Sequence, residues 1–276
     1  MRTRKNVTRR SPSIPRRLLR EGAPHLVPAY YLLSLSDLAR EGIQHSGSYR
    51  FADHIYVGKP SGRTALGRWL DARLLSMPAA HAFRCRYKRA QAVVRQALES
   101  HCEERALRVL AVPCGVPRDI IELAQTLRAE HPALLDRLEY HGLDVDPEVL
   151  DIAAALTRDA GIPAAHYHVG DALSAADYPR RPFDVVISTG LGEFLDDDEL
   201  DVFYGHIYEV LDPGGIFYTS ATGYDSNSER LLRIAEITTR YRNGQHVRRV
   251  LSAFPWKRMS TACDVTGLQT FITAVK

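Results

Sequence analysis

Between residue 26 and about residue 105, apolar residues recur at a helical spacing and no strand-like alternation is seen. Three helices are predicted: LVPAYYLLSLSDLAR (26–40), SGRTALGRWLDARLL (61–75) with Ser61 as N-cap, and PAAHAFRCRYKRAQAVVRQALES (78–100) with Pro78 in its first turn. Between the first two, YRFADHIYVGKPSGR (49–63) reads as an ordered loop. After about residue 105 the pattern changes to short apolar runs separated by helical stretches, the alternation of a parallel α/β sheet. Strands are predicted at 107–112, 138–144, 165–169, 183–189 and 215–220, and a last pair near 257–263 and 269–275. Helices are predicted at 118–130, 147–160, 197–211, 226–242 and 245–252. Asp264 to Gly267 can hold only a tight turn, so the last two strands must pair antiparallel. The expected fold class is therefore α/β: a mostly parallel sheet with an antiparallel C-terminal hairpin, preceded by a helical segment. The chain divides in this reading into a disordered basic tail (1–20), a helical part (21–104) and the α/β domain (105–276).

Composition narrows the class. With 276 residues, 45% hydrophobic and 25% charged, the chain is long enough for a real core, and no apolar run approaches a membrane span. Cys85, Cys102, Cys114 and Cys263 show neither CxxC nor Cys/His ligand spacing, which argues against a disulfide framework, a zinc knuckle or an iron–sulfur site. No metal is expected, and a cytoplasmic location fits. Residues 1–20 carry Arg2, Arg4, Lys5, Arg9, Arg10, Arg16, Arg17 and Arg20 and no acid, so the other 28 basic residues face all 33 acidic ones. The body is slightly acidic, and neither a nucleic acid nor a membrane is an expected partner. The tail lacks the apolar stretch of a secretory signal, and Pro12 and Pro15 argue against an amphipathic transit helix.

The candidate chemistry lies at the predicted strand ends. VPCGVPRDI (112–120) is a turn between a strand and a helix, where a doubly wound sheet places its ligand; Gly115 is its one glycine, flanked by Pro113 and Pro117. GLDVDPEVL (142–150) puts Asp144 at the end of the second strand, either as an acceptor for two ribose hydroxyls or as a helix N-cap, a task for which Asp146 is better placed. VGDALS (169–174) puts Asp171 and Ala172 after the third strand, where they either meet an adenine edge or form an ordinary turn.

In order and spacing, VLAVPCG, GLDVDPEVL, GDAL, FDVVISTGLGEFLDD and LDPGGIFYTS resemble the class I S-adenosylmethionine (SAM) dependent methyltransferases over about residues 105–276. The resemblance implies a Rossmann-like sheet and SAM as cofactor. The implied cofactor contacts are Pro113, Cys114, Gly115, Asp144, Val145, Gly170, Asp171, Ala172, Ser188, Thr189 and Gly190. LDPGG (211–215) looks like the family's turn before the fifth strand, with its glycines permitting a sharp reversal. Ala111, Pro113 and Pro117 stand where family members carry an acid and further glycines, so another group is expected to hold the methionine carboxylate. Arg84, Arg86, Tyr87 and Lys88, with Tyr56 and Lys59 before them, supply candidates. HIYVGKPSG and DARLLSMPAAHAFRCR resemble a mostly uncharacterised bacterial subgroup, and the helical part is expected to act as a lid.

The expected reaction is methyl transfer to a small-molecule acceptor. Attack on the aminopropyl arm, giving group transfer or cyclisation with release of methylthioadenosine, is one alternative, and a non-catalytic SAM-binding module another. His54 or Tyr56 is the expected base, if the acceptor needs one; His81, His141, His166 and His168 read as surface or structural histidines. Acceptor contacts are expected from Tyr56, Arg84, Tyr87, Phe194 and Tyr224, although Phe194 and Leu195 also fit a helix core. Glu193 either orients an amine or caps a helix, and Tyr224, Asp225 and Asn227 either contact an acceptor or form a capping turn.

Overall fold

The structure, a computed structural model, describes residues 14–44, 49–101, 105–234 and 239–276. Residues 1–13 of the basic tail and Cys102 lie outside the described residues. The helices are α1 (Ile14–Arg20), α2 (Leu26–Leu33), α3 (Asp37–Gln44), α4 (Tyr49–Val57), α5 (Ala65–Leu75), α6 (Pro78–Ser100), α7 (Arg118–Glu130), α8 (Pro132–Leu135), α9 (Pro147–Asp159), α10 (Asp197–Val210), α11 (Ser226–Ile234) and α12 (Gly244–Leu251). The strands are β1 (Leu107–Ala111), β2 (Leu138–Asp144), β3 (Ala164–Val169), β4 (Phe183–Ser188), β5 (Leu211–Thr222), β6 (Arg258–Cys263) and β7 (Gln269–Val275). They form two compact units, one from the described residues of Met1–Arg84 and Tyr224–Thr239, the other from those of Cys85–Gly223 and Arg240–Lys276.

The first unit is helical, as expected, but more finely divided. Residues 14–20, assigned to a disordered tail, form α1, because Ile14 and Leu18 fall one turn apart and bury with Ile43 and Ile234. The predicted helix 26–40 breaks into α2 and α3. Ser34 closes α2 by donating its hydroxyl to the Tyr30 carbonyl (2.8 Å), and Ser36 opens α3 by accepting the Ala39 N–H (3.0 Å). The stretch 49–63 is not all loop: 49–57 is α4, since Phe51 and Ile55 share a face that packs with Leu38, Leu75 and Ala80. Thr64, not Ser61, caps α5, accepting the Gly67 N–H at 3.0 Å. Ser61 instead donates its N–H to Asp71. The predicted helix 226–242 ends its described span at Ile234, and residues 235–238 lie outside the described residues.

The second unit is the predicted sheet, in the order β3-β2-β1-β4-β5-β7-β6. β1 to β5 pair in parallel, and β7 runs antiparallel to both β5 and β6. One face packs Val94, Leu98, Ile120, Leu127 and Leu150 from α6, α7 and α9; the other packs Leu200, Phe203, Ile207 and Leu251 from α10 and α12. Because both faces are covered, β4 is buried along its whole length, and its FDVVIS run does not alternate. LDPGG turns the chain tightly, with five steps from Leu211 to Ile216 set against two from Phe183 to Val185. It lies within β5 as a bulge between the Phe183–Leu211 and Val185–Ile216 pairs, with Gly214 at φ +85° and the backbone clasped by Lys276. A side chain at Gly215 would come within 2.8 Å of the Asp212 carbonyl. From β1 the sheet grows to β2 on one side and β4 on the other, so the crest above β1 and β4 is the switch point of the topology.

One carboxylate organises the first unit. Asp71 is fully buried and accepts the Ser36 hydroxyl and the N–H groups of Ser61 (2.9 Å), Gly62 (2.8 Å) and Leu38 (3.2 Å). Burial works to raise its pKa, but these four donors together outweigh it and hold the carboxyl below its ordinary value. The stability it contributes is therefore present above the ordinary carboxylate range and is lost as pH falls through the depressed value. Asp71→Ala is expected to destabilise the first unit by about 3 kcal/mol, and Asp71→Asn by a similar amount because its amide turns donors toward donors. Helical circular dichroism during urea titration reads the loss, and an unchanged midpoint would contradict the assignment.

Candidate functional site

β1 ends at Ala111, and the chain turns through residues 112–117 into α7. Two strand neighbours hold this turn: the Val112 N–H donates to Ile187 of β4 (2.9 Å) and the Cys114 N–H to Leu143 of β2 (3.0 Å). Gly115, at φ +50°, has no atom within 4 Å of where a side chain would begin, so the turn presents bare backbone to open space. Its N–H donates to Asp144 Oδ2 (3.0 Å), while Asp144 Oδ1 accepts the Asp146 N–H (3.1 Å). Asp144 is only 8% exposed; burial raises its pKa, with the two backbone donors opposing. Asp146 caps α9, as its position suggested, accepting the Glu148 N–H at 3.0 Å.

Cys114 is buried, and burial followed by the charges of Asp144 and Asp119 pushes its thiol far up, which keeps it protonated and inert. Asp119, in the first turn of α7, is itself raised to about 6 by burial, opposed by the Ile120 N–H. Sequence reasoning did not single out Asp119. Its signal was an acid in the first turn of the helix after the loop, a placement shared by many ordinary helices.

On the β3 side, the Gly170 N–H donates to the Asp144 carbonyl (2.9 Å), and a Cβ at Gly170 would meet Asp177 at 2.6 Å. Asp171 is exposed: its N–H donates to Asp177 (2.8 Å) and its carboxylate accepts the Leu173 N–H (3.0 Å), a turn role. Ala172 is buried, with its carbonyl accepting the Tyr178 hydroxyl at 2.8 Å. Val145 leaves an apolar surface 64% exposed beside Asp144.

On the β4 side, Ser188 is buried and Thr189 and Gly190 are half-buried. Gly190 is at φ +95°, and a Cβ there would lie 3.1 Å from Arg86 Nη2. Arg86 is itself buried and pairs with Glu193 at 3.1 Å. Glu193 also accepts the Thr222 hydroxyl, whose oxygen lies 3.1 Å from the Gln269 side chain. The loop after β4 is then locked by Arg242, which donates to the carbonyls of Gly192 (2.5 Å) and Leu195 (2.8 Å) and pairs with Asp197 (2.7 Å). Arg242 is 45 residues from its carboxylate partner, and nothing local in the sequence marks it.

The predicted residues thus separate into groups. Pro113, Cys114, Gly115, Asp144, Val145, Gly170, Asp171, Ala172, Ser188, Thr189 and Gly190 all lie at or just beyond the carboxyl ends of β1 to β4 in the second unit. Tyr87 and Phe194 also belong to that unit: the Tyr87 hydroxyl donates to Glu122 (3.3 Å), and Phe194 is exposed while Leu195 enters the core. His54, Tyr56, Arg84 and Tyr224 belong to the first unit. His54 Nε2 bonds the Lys59 carbonyl (3.1 Å), Tyr56 packs on Phe83, and Arg84 donates to the Leu75 carbonyl (2.9 Å). Tyr224 is exposed, and Asp225 caps α11 through Ser228.

Comparisons with known proteins concern the domain and fold that carry this crest. Residues 109–215 match the family model described as a methyltransferase domain. Demethylmenaquinone methyltransferase of Leptospira interrogans, from two strains, is 33% identical over 122 residues, 44% of this chain and 45% of the relative. The match thus spans less than half the length of these curated relatives. Among solved structures, a possible exported protein from Bordetella parapertussis shares the fold at a TM-score of 0.77 and 21% identity, covering 96% of this chain and 93% of its own. Magnesium protoporphyrin IX methyltransferase from Synechocystis, solved with bound SAH, superposes at a TM-score of 0.55 and 14% identity, covering 81% of this chain and 93% of its own. No helix among the described residues is long and apolar enough to cross a membrane. Residues 109–215, which carry the strand-end motifs and the crest just described, are therefore similar to a methyltransferase domain, on a fold shared with a solved methyltransferase that holds SAH.

Proposed function

We propose that this protein transfers the methyl group of SAM to a small-molecule acceptor. The observation that carries the reading is the pairing of Asp144 with the bare Gly115 turn at the switch point of the sheet, inside the matched methyltransferase domain. The donor set suits an adenosyl ligand. Each Asp144 oxygen spends one lone pair on a backbone N–H and keeps another for a ribose hydroxyl, and Val145 offers an apolar face for the adenine. Asp171 with Ala172 would meet the adenine edge, and Ser188, Thr189 and Gly190 the methionine portion. Arg86, beside Gly190, is the guanidinium proposed for the methionine carboxylate, in place of the donors that Pro113 and Pro117 cannot supply.

When bound, SAM supplies an electrophilic methyl carbon on a sulfonium. The chain's part is to hold the acceptor atom in line and to keep water away. The loop locked by Arg242 gives this side of the site a fixed wall. A base is needed only where the acceptor carries a proton. The slightly acidic body and the Leptospira relatives, named for demethylmenaquinone, favour a small acceptor over a nucleic acid.

Two measurements test the reading, and a third tests the burial of Asp119 beneath it. Asp144→Ala is expected to weaken SAM binding about 10- to 100-fold in calorimetric titration, and unchanged affinity would remove the assignment. Turnover with a competent acceptor should leave S-adenosylhomocysteine; methylthioadenosine as the sulfur product would instead mark attack on the aminopropyl arm. Asp119 has a folded pKa of about 6 against an ordinary 3.8, so between these values the folded state binds more protons and stability falls as pH rises. Asp119→Asn should therefore raise the melting temperature at pH about 7.5 and have little effect at pH about 4, as read by thermal denaturation.

A further inference from the structure

β2 carries Glu139-x-His141 and β3 carries His166-x-His168. Side chains alternate along a strand, and the parallel register sets His141 beside His166 and Leu143 beside His168, so all four groups share one face. That face is opposite the one to which Asp144 belongs. α9 packs on the other side of β3, where the Tyr167 hydroxyl meets Thr157 at 2.8 Å. One ligand atom from each of Glu139, His141 and His166 lies within 4.8 Å of the other two. His141 Nε2 is 2.9 Å from Glu139 Oε1, and its Nδ1 is 3.2 Å from His168 Nε2. The His141 ring lies parallel to that of His168 at 5.5 Å and 4.7 Å from that of His166. His141 is 5% exposed, whereas His166 is exposed, so the cluster opens to solvent on one side only. Burial lowers the pKa of His141, against the pull of Glu139, and burial followed by the nearness of His166 lowers that of His168.

We propose that Glu139, His141 and His166 bind one divalent transition-metal ion, with His168 as the residue that positions His141. The ion meets His141 at Nε2, the nitrogen that faces Glu139, while Nδ1–H donates to His168, the arrangement by which a second residue fixes the tautomer of a metal ligand. A set of imidazoles and one carboxylate suits zinc and its neighbours cobalt, nickel and copper, and not magnesium or calcium, which prefer oxygen ligands throughout. With bonds of about 2.0–2.2 Å the ligand atoms must close to roughly 3.3 Å of one another, a rotation open to the exposed His166 side chain. Water completes the coordination from the open side. The bound ion joins edge strand β3 to β2.

The test uses the untagged chain, stripped with a chelator and titrated with zinc sulfate by calorimetry. One ion per chain is expected. His166→Ala should weaken binding about 100-fold, and Glu139→Gln and His168→Ala each about 10-fold. His131→Ala, a change of an exposed histidine elsewhere, should leave binding unchanged. Cobalt in place of zinc should give a visible absorption band that His166→Ala abolishes. His166→Gln, which keeps bulk on the exposed strand, replaces the alanine variant should that fail to fold. Absence of zinc binding up to about 100 µM, or binding untouched by both the His166 and the Glu139 changes, overturns the proposal. SAM titrated into the same samples separates this outcome from a failure of the adenosyl site, which lies on the opposite face.

Discussion

Asp144, through its carboxylate and its main-chain carbonyl, joins three elements of the crest. One oxygen holds the Gly115 turn after β1, the other holds the start of the segment that leads into α9, and the Asp144 carbonyl receives Gly170 after β3. A parallel sheet ends in loops with few partners of their own, so a crest built from β1, β2 and β3 needs a shared acceptor to keep its turns in place. The glycines then follow from that arrangement. Gly115 must adopt positive φ, Gly142 must leave room for the Cys114 sulfur, and Gly170 must lie against Asp177.

On the far side of the switch point the order comes from guanidinium groups. Arg86 balances Glu193, and Arg242 takes up carbonyls of the loop after β4 that no helix would otherwise satisfy. Such loops are held by charge-assisted hydrogen bonds because they lack the apolar surface to be held by packing. The consequence for function is a crest with carboxylates on one side, Asp119 and Asp144, and a compensated arginine on the other.

The sheet was legible in the sequence because its central strands are apolar runs separated by helical stretches; every predicted strand appears, and the four-residue turn dictated the antiparallel hairpin. Boundaries were less legible where side chains from distant positions intervene. The first predicted helix breaks where Ser34 closes α2 and Ser36 opens α3, with the Ser36 hydroxyl held by Asp71, 35 residues on. α4 exists because Phe51 and Ile55 find an apolar partner surface, whereas their own stretch, with its glycine, lysine and proline, reads as loop.

The sequence by itself determined the α/β class, the strand order's antiparallel ending and the strand-end positions of Asp144, Asp171 and Gly115, because periodicity, turn residues and capping are written within a few neighbouring residues. Only the tertiary structure decided that Arg86 would lie against Gly190, that Arg242 would close the loop after β4, and that Glu139 and His141 would meet His166 and His168. Those contacts join residues tens of positions apart, and their energy depends on burial and register, which no local pattern encodes.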